Sequence, residues 1–405
     1  MNNKKPRLLF AIHYLELGGA EISLIGLLQA MDYIRYDVDL FVYSHQGELM
    51  RFIPQEVNLL PEIKAYAYIE RPVKEALRKG LFGVVWGRLK AKWQHKRWKR
   101  EEGKRKNLQD ASIFQYVMNG VEPYLPSLHY LGEYDLAVSF LTPHNIVLNK
   151  VHARRKACWI HTDYSKIDIN TEIELPVWGE FNHIVSISAD VTKAFLTVFP
   201  TLKDIIVEIH NILPAGFVRS RAEEISPEEI AKEMPHEEGV VNLLSVGRFT
   251  HPKNYDNVPV ILKNISAPVK WYLIGYGGEE KLIRQRIAEE GMEGKVIILG
   301  KKENPYPYIK ACDIYVQPSR YEGNAVTVRE AQMLCKPVVV TNYPTAVSQI
   351  KDGIDGVIVP LDNKECADGI ARFLQDKQLQ CSIIDYLKVN DYSNAAEIEK
   401  VYRLL

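Results

Sequence analysis

The chain is 405 residues long, 46% hydrophobic and 25% charged, a balance that belongs to globular proteins rather than disordered or fibrous ones. Two domains are expected at this length, and a net charge of +0 excludes a global pull towards nucleic acid. No apolar run approaches the roughly twenty residues of a membrane-crossing helix, and five cysteines without Cys-x-x-Cys spacing suggest neither a zinc site nor a disulfide framework, but reduced cytoplasmic thiols.

The start is basic but leads into no long apolar core or cleavage site, so Arg7-Leu-Leu-Phe-Ala-Ile12 reads as a first strand. It runs through Leu17-Gly-Gly-Ala-Glu21 into a helical pattern at Ile22, Ile25 and Leu28. A Gly18-Gly19 turn lets backbone approach a ligand, with a helix N-terminus behind it. Asp37-Val-Asp-Leu-Phe-Val-Tyr43 reads as a second strand, and its Asp-x-Asp, lying inside a β pattern, as structural rather than metal-binding.

Residues 80–107 stand apart. Phe82, Val85, Trp86, Leu89 and Trp93 form one helical stripe, and from Arg88 to Lys106 ten basic residues face two acidic ones, a local charge of +8. Trp86, Leu89, Lys90, Trp93 and Arg97 in one helix suit the interface of an anionic membrane. A solvated helix with an apolar core face is the plainer alternative, and nucleic acid a third.

Tyr134-Asp-Leu-Ala-Val-Ser-Phe140 and Lys156-Ala-Cys-Trp-Ile160 continue the strand series, and the second ends at His161-Thr-Asp163, where open α/β sheets present ligand residues. His183 to Ser188 and Ile205 to Ile212 complete the first half, with His210-Asn211 before a polar, acidic stretch from Pro214 to Gly239 that reads as a hinge. A second series starts at Val240 to Val246 and leads into Gly247-Arg248-Phe-Thr-His-Pro-Lys253-Asn254. Two permanent cations in that loop could bind a diphosphate, Arg248 as a fork and Lys253 as a point charge. Trp271-Tyr-Leu-Ile-Gly-Tyr-Gly-Gly278 is too loose for a dinucleotide fingerprint. Val296 to Gly300 is the next strand, followed by the loop Lys301-Lys-Glu-Asn-Pro305.

Asp313-Ile-Tyr-Val316 then delivers the most informative stretch, Gln317-Pro-Ser-Arg-Tyr-Glu-Gly-Asn-Ala-Val-Thr-Val-Arg-Glu-Ala-Gln-Met-Leu334, before the strand Pro337 to Thr341. The pattern predicts a helix starting near Asn324, whose free N–H groups and positive dipole end could take a phosphate. Glu322 and Glu330 lie eight positions apart, one over the helix start and one about two turns down, and carboxylates suit the paired hydroxyls of a sugar or ribose. Helices near 364–375 and from Asn394 to Leu405 close the chain.

The segment from Pro318 to Val340 closely resembles the donor site of the family-4 retaining glycosyltransferases, the kind that build bacterial surface polysaccharides. The resemblance is strongest over 240–360, weaker at 7–30 and 156–212, and absent over 60–130. It implies an α/β GT-B fold, two Rossmann-like doubly wound domains facing a central cleft. The expected limits are an acceptor-side domain at 1–213 with the basic insertion at 80–107, a nucleotide-sugar domain at 214–385, and a C-terminal helix at 386–405 crossing back to the first domain. It implies transfer of a hexose from a nucleotide-sugar, with UDP foremost as the family's commonest base, to a saccharide acceptor, without a metal and with no cofactor beyond the donor. His161, Glu322, Arg248 and Lys253 would be the catalytic set. Gly19, Gly247, Gly323, Asn324, Ala325 and Glu330 would join Arg248, Lys253 and Glu322 in binding the donor. With the basic helix, this points to a polyprenyl-diphosphate-linked acceptor at the cytoplasmic face of a membrane. A catalytically silent GT-B binding protein and a sugar-nucleotide epimerase are the alternatives.

Overall fold

Most strands are continuous apolar runs rather than alternating ones, as expected of parallel strands covered on both faces. The computed structural model describes residues 5–16, 18–101, 109–322 and 325–405. The chain divides into one unit of residues 1–214 with 394–405, and a second of residues 215–393.

The first unit holds β1 (Arg7–Ile12), β2 (Asp37–Val42), β3 (Asn58–Leu59), β4 (Gln109–Asp110), β5 (Tyr134–Ser139), β6 (Ala153–Ile160), β7 (Ile167–Asp168), β8 (His183–Ser186) and β9 (Ile206–Glu208). Seven of these form a parallel sheet in the order β3-β2-β1-β5-β6-β8-β9, while β4 and β7 pair apart from it. The order reverses between β1 and β5, and crevices for ligands form at the C-terminal strand ends near such a switch. The Asp-x-Asp is structural: Asp39 lies in β2 and accepts from Arg7 Nη2 (3.1 Å), Asn58 Nδ2 (2.8 Å) and Tyr134 Oη (2.5 Å).

The basic segment forms a helix, Phe82–Glu101. Its inner face is narrow: Val84, Gly87 and Ala91 are buried, and a Cβ on Gly87 would stand 2.3 Å from the carbonyl oxygen of Gly120 in the Ser112–Val121 helix. That close approach turns the aromatic stripe outward, leaving Phe82, Trp86, Leu89 and Trp93 exposed, each by at least half. Glu102, Lys104, Arg105 and Lys106 of the basic run lie outside the described residues. Among the described residues no helix is long and apolar enough to cross a membrane.

The C-terminal tail is pinned at His210-Asn211. Asn211 accepts from Ser23 Oγ (2.8 Å) and from Asn394 Nδ2 (3.2 Å), and the His210 amide donates to Glu397 Oε2 (2.9 Å). The tail grouped with the first unit begins at Asn394 rather than 386, because the Lys377–Val389 helix buries Ile383 and Leu387 in the second unit.

The second unit is a six-stranded parallel sheet of β10 (Val241–Val246), β11 (Val269–Ile274), β12 (Val296–Gly300), β13 (Ile314–Gln317), β14 (Val338–Thr341) and β15 (Val357–Val359). Its order is β12-β11-β10-β13-β14-β15, so the switch lies between β10 and β13. Buried Trp271 donates to Ser245 Oγ (2.9 Å), and Ser245 donates to the Val316 carbonyl (2.6 Å), which ties the three central strands together.

Candidate active site

The loops after β10 and β13 leave the sheet at the switch point of the second unit, and they carry Gly247, Arg248, Lys253 and Glu322. Gly247 is held small from one side: a Cβ there would meet Tyr255 Oη at 2.8 Å and Lys253 Cε at 3.3 Å. On the other side the glycines after β11 let two loops run in contact. Gly275 and Gly277 adopt φ 154 and 157, and a Cβ on Gly275 would fall 1.9 Å from the Gly247 carbonyl. These are sterically required glycines, which the loose Gly-x-Gly-Gly spacing alone did not reveal.

Glu322 is buried, and its Oε1 gathers three donors: Lys253 Nζ at 2.6 Å, Ser319 Oγ at 2.6 Å and Gln317 Nε2 at 3.0 Å. The cation from one loop and the carboxylate from the other therefore form one ion pair, 69 positions apart in sequence. Arg320 fixes the same two loops from outside. Its guanidinium forks onto Asp256 at 2.8 and 2.7 Å and donates to the His251 carbonyl at 2.7 Å. Asn254, at φ 61, donates to the Pro318 carbonyl at 2.8 Å. Sequence reasoning missed Gln317, Ser319, Arg320, Asn254 and Asp256; only the fold shows that they brace Lys253 against Glu322. Arg248 is exposed.

The helix after the β13 loop spans Val326–Met333, two residues later than expected, with buried Ala325 as its N-cap. Ala325 offers no side-chain cap. Gly323 and Asn324, assigned to the donor site from the sequence, lie outside the described residues. Glu330 is buried on this helix and accepts from Tyr306 Oη at 2.8 Å. Burial pushes its pKa up to about 7, against the opposing pull of the tyrosine hydroxyl. Exposed Tyr276 sits beneath Lys301 Nζ, 5.4 Å from its ring centroid, beside the loop that follows β12.

In the first unit, His161 follows β6 with its ring 4.8 Å from Phe140. Its Nε2 is buried without a partner among the described residues, and burial pushes its pKa down to about 3, so the ring is neutral. Asp163 is spent on a local turn, accepting from Ser165 N (3.0 Å) and Oγ (2.6 Å). Gly19 opens the Gly19–Gln29 helix with nothing within 4 Å of where a Cβ would stand. Among the described residues no group of three or more His, Cys, Asp and Glu is placed to hold a metal.

Residues 226–389, most of the second unit, match the family described as Glycosyl transferases group 1. Among curated relatives, an N-acetylgalactosaminyltransferase of Campylobacter jejuni, named for a diacetylbacillosaminyl-diphospho-undecaprenol substrate, is 27% identical over 34% of this chain and 38% of its own. The amylovoran biosynthesis glycosyltransferase AmsD of Erwinia amylovora is 27% identical over 30% of this chain and 35% of its own. The chain thus spans little more than a third of the length of these relatives. Solved structures match over nearly the whole chain. HepE of Anabaena, in complex with UDP, covers 98% of both chains at 15% identity and TM-score 0.58. A glycosyltransferase from Rickettsia africae covers 99% of this chain and 97% of its own at 14% identity and TM-score 0.59. The fold is GT-B, with two Rossmann-like α/β units.

Proposed function

We propose that the protein is a retaining, metal-independent glycosyltransferase that moves a hexose from a nucleotide-sugar, UDP-linked foremost, to a hydroxyl of a lipid-linked saccharide in surface polysaccharide synthesis. The observation that carries this reading is the Lys253–Glu322 pair, 2.6 Å apart at the switch point of the unit that matches the group 1 family.

Breaking the donor bond leaves negative charge on a diphosphate. An ammonium has three donors; Lys253 commits one to Glu322 and keeps two for phosphate oxygens, beside the exposed Arg248 fork. The first amides of the Val326–Met333 helix add donors and the positive end of its dipole. In this reading Glu322 takes hydroxyls of the donor sugar, Glu330 those of the ribose, and Gly323 and Asn324 the phosphates. His161, a neutral imidazole, orients the sugar or stabilises the oxocarbenium-like state, and the departing phosphate helps to deprotonate the acceptor.

The lipid-linked acceptor is supported by the exposed tryptophan stripe within a basic helix, which suits the cytoplasmic face of an anionic membrane. The undecaprenol-linked substrate in the name of the Campylobacter relative agrees with it.

The test is thermal unfolding of the wild type and Lys253→Ala with UDP, GDP, dTDP and ADP. A nucleotide at a hundredfold its dissociation constant adds roughly 2.7 kcal/mol. The expected result is stabilisation by UDP that shrinks in the variant. No response to any nucleotide would overturn the transferase in favour of a silent binding protein. Conversion of a nucleotide-sugar without an acceptor would identify an epimerase.

A further inference from the structure

A cavity of about 1210 Å³ opens in the second unit at the N-terminal ends of β10, β13 and β14, where Val241, Ile314 and Pro337 line it. The loops that carry Lys253 and Glu322 leave the opposite ends of β10 and β13, one strand length away, roughly 20 Å for six residues. The cavity therefore lies apart from the candidate active site. The helices Pro227–Glu233 and Tyr306–Ala311, with the junction between Asn363–Gln375 and Lys377–Val389, form its walls. They contribute Ile230, Pro307, Ala311, Leu374 and Ile384 to an apolar lining. Such a space exceeds the ~300–1,000 Å³ of ordinary small-molecule sites, and apolar walls of this extent are costly to leave against water.

The lining asks for few hydrogen bonds. No buried side-chain atom that lacks a partner among the described residues belongs to it, so it holds nothing that the hydroxyls of a sugar or the edge of a base would satisfy. Most of its polar groups are answered: Glu223 by Lys310 at 2.6 Å, Glu237 by Lys270 at 2.5 Å, and Asp313 by the Asn242 amide at 2.7 Å. Burial pushes the Cys312 thiol up to about 12, so it offers no reactive thiolate. Two cations stand apart. Lys336 donates to the Cys312 carbonyl at 2.9 Å and Lys377 to Gln380 Oε1 at 3.2 Å, yet neither has an ion pair among the described residues. The lining thus sets two ammonium groups without an ion pair against one such carboxylate, Asp313. Each ammonium has three donors and has committed one.

An apolar space edged by such cations fits a ligand that is apolar along its length and anionic at one end. We infer that this cavity binds a single-chain amphiphile, its acyl or isoprenoid tail in the apolar space and its carboxylate or phosphate head on Lys336 and Lys377. The inference stands apart from the transferase reading, since it uses no residue of that site.

The test is titration calorimetry of the full chain with decanoate, decyl phosphate, farnesyl phosphate and neutral decanol, each below its micelle concentration, with maleimide labelling followed in parallel by mass spectrometry. Cys335 lines the cavity half-buried, whereas exposed Cys381 does not line it and serves as the control. One equivalent of anion is expected to bind, about tenfold more tightly than decanol, and to slow labelling at Cys335 but not at Cys381. Lys336→Met and Lys377→Met should each weaken the anions about five- to tenfold, the order of one hydrogen bond, with decanol unchanged. Ala311→Phe and Ala267→Phe fill the space from half-buried positions and should abolish binding while unfolding at the wild-type temperature. Preference for decyl phosphate over decanoate would identify a phosphate head, and preference for farnesyl phosphate over decyl phosphate an isoprenoid tail; the reverse preferences identify a fatty acid. Decanol bound as tightly as the anions would overturn the anionic class. No saturable binding of any amphiphile, or binding that both filled variants keep, would overturn the site and leave the groove to a partner protein.

Discussion

Both units place polar residues at the switch point of a parallel sheet, yet they finish the task differently. After β13, Glu322 Oε1 receives three hydrogen bonds and two loops are braced by the Arg320–Asp256 fork. After β1 and β2, three buried polar atoms of residues that line one cavity, His13 Nε2, Tyr43 Oη and Arg71 Nε, have no partner among the described residues. The first is an organised charge site that holds its own geometry without a ligand; the second is a cavity whose polar atoms are left unanswered. The difference teaches that one architecture can carry a polar cluster that is closed on itself and a cavity that is left open, distinguished by how far their polar groups are satisfied.

The sharpest way to break this contrast is Glu322→Ala. It strips Lys253, Ser319 and Gln317 of a common acceptor, so kcat/KM for sugar transfer is expected to fall about 10²–10³-fold, with unfolding free energy lower by roughly 1–3 kcal/mol. Transfer assayed with UDP-sugars, at a temperature where both proteins remain folded, checks it. Activity within tenfold of wild type would mean that the pair is only a loop brace.

The two sites also differ in legibility. Lys253, Glu322 and Glu330 could be chosen from the sequence because the segments around them resemble the donor site of a known family; a Glu-x7-Glu pair or two basic residues five apart would not alone have singled them out. Their supports could not. Asp256 meets Arg320 only because β10 and β13 are neighbours, a pairing of strands far apart in the chain. The cavity of the first unit was illegible for the same reason: His13, Tyr43 and Glu70 come from three separate elements with no common motif. In the basic helix the stripe was readable but its exposure was not, since Gly87 and Ala91 rather than the tryptophans form the packed face.

Glu330 sharpens the contrast through pH. With a folded pKa raised from 4.5 to about 7, the folded protein keeps this proton where the unfolded chain has lost it. The contribution to stability is therefore full below pH 4.5 and lost as pH rises through about 7, a change of ~3 kcal/mol. Glu330→Gln retains an acceptor for Tyr306 but cannot ionise, so the wild type should lose that amount relative to the variant across the window, measured by urea unfolding. The ionised carboxylate is the better partner for ribose hydroxyls, so UDP affinity should weaken below pH 7 in the wild type more steeply than in the variant. Parallel pH profiles would place the burial elsewhere and remove Glu330 from the donor site.

The exposed stripe predicts an effect of about tenfold per tryptophan, the order of burying one large apolar side chain. Trp86→Ala and Trp93→Ala should each weaken binding to anionic liposomes by that much, and removing Lys90 or Arg97 by somewhat less, about 1 kcal/mol per charge. Because these side chains are exposed, unfolding temperatures should not move. Sedimentation with liposomes that is unchanged by the combined variant would refute the membrane contact.

The smallest effect tests whether a glycine is kept for the fold or for a ligand. Gly19→Ala introduces a methyl group that meets nothing within 4 Å, in a helix where alanine is the better residue. Stability should therefore rise, by about 0.4–1 kcal/mol. If the first unit's Gly19 lies against the donor, UDP affinity should nevertheless fall, and a variant that is more stable yet binds more weakly has no explanation in packing. A variant that is more stable and binds UDP unchanged would take Gly19 out of the site.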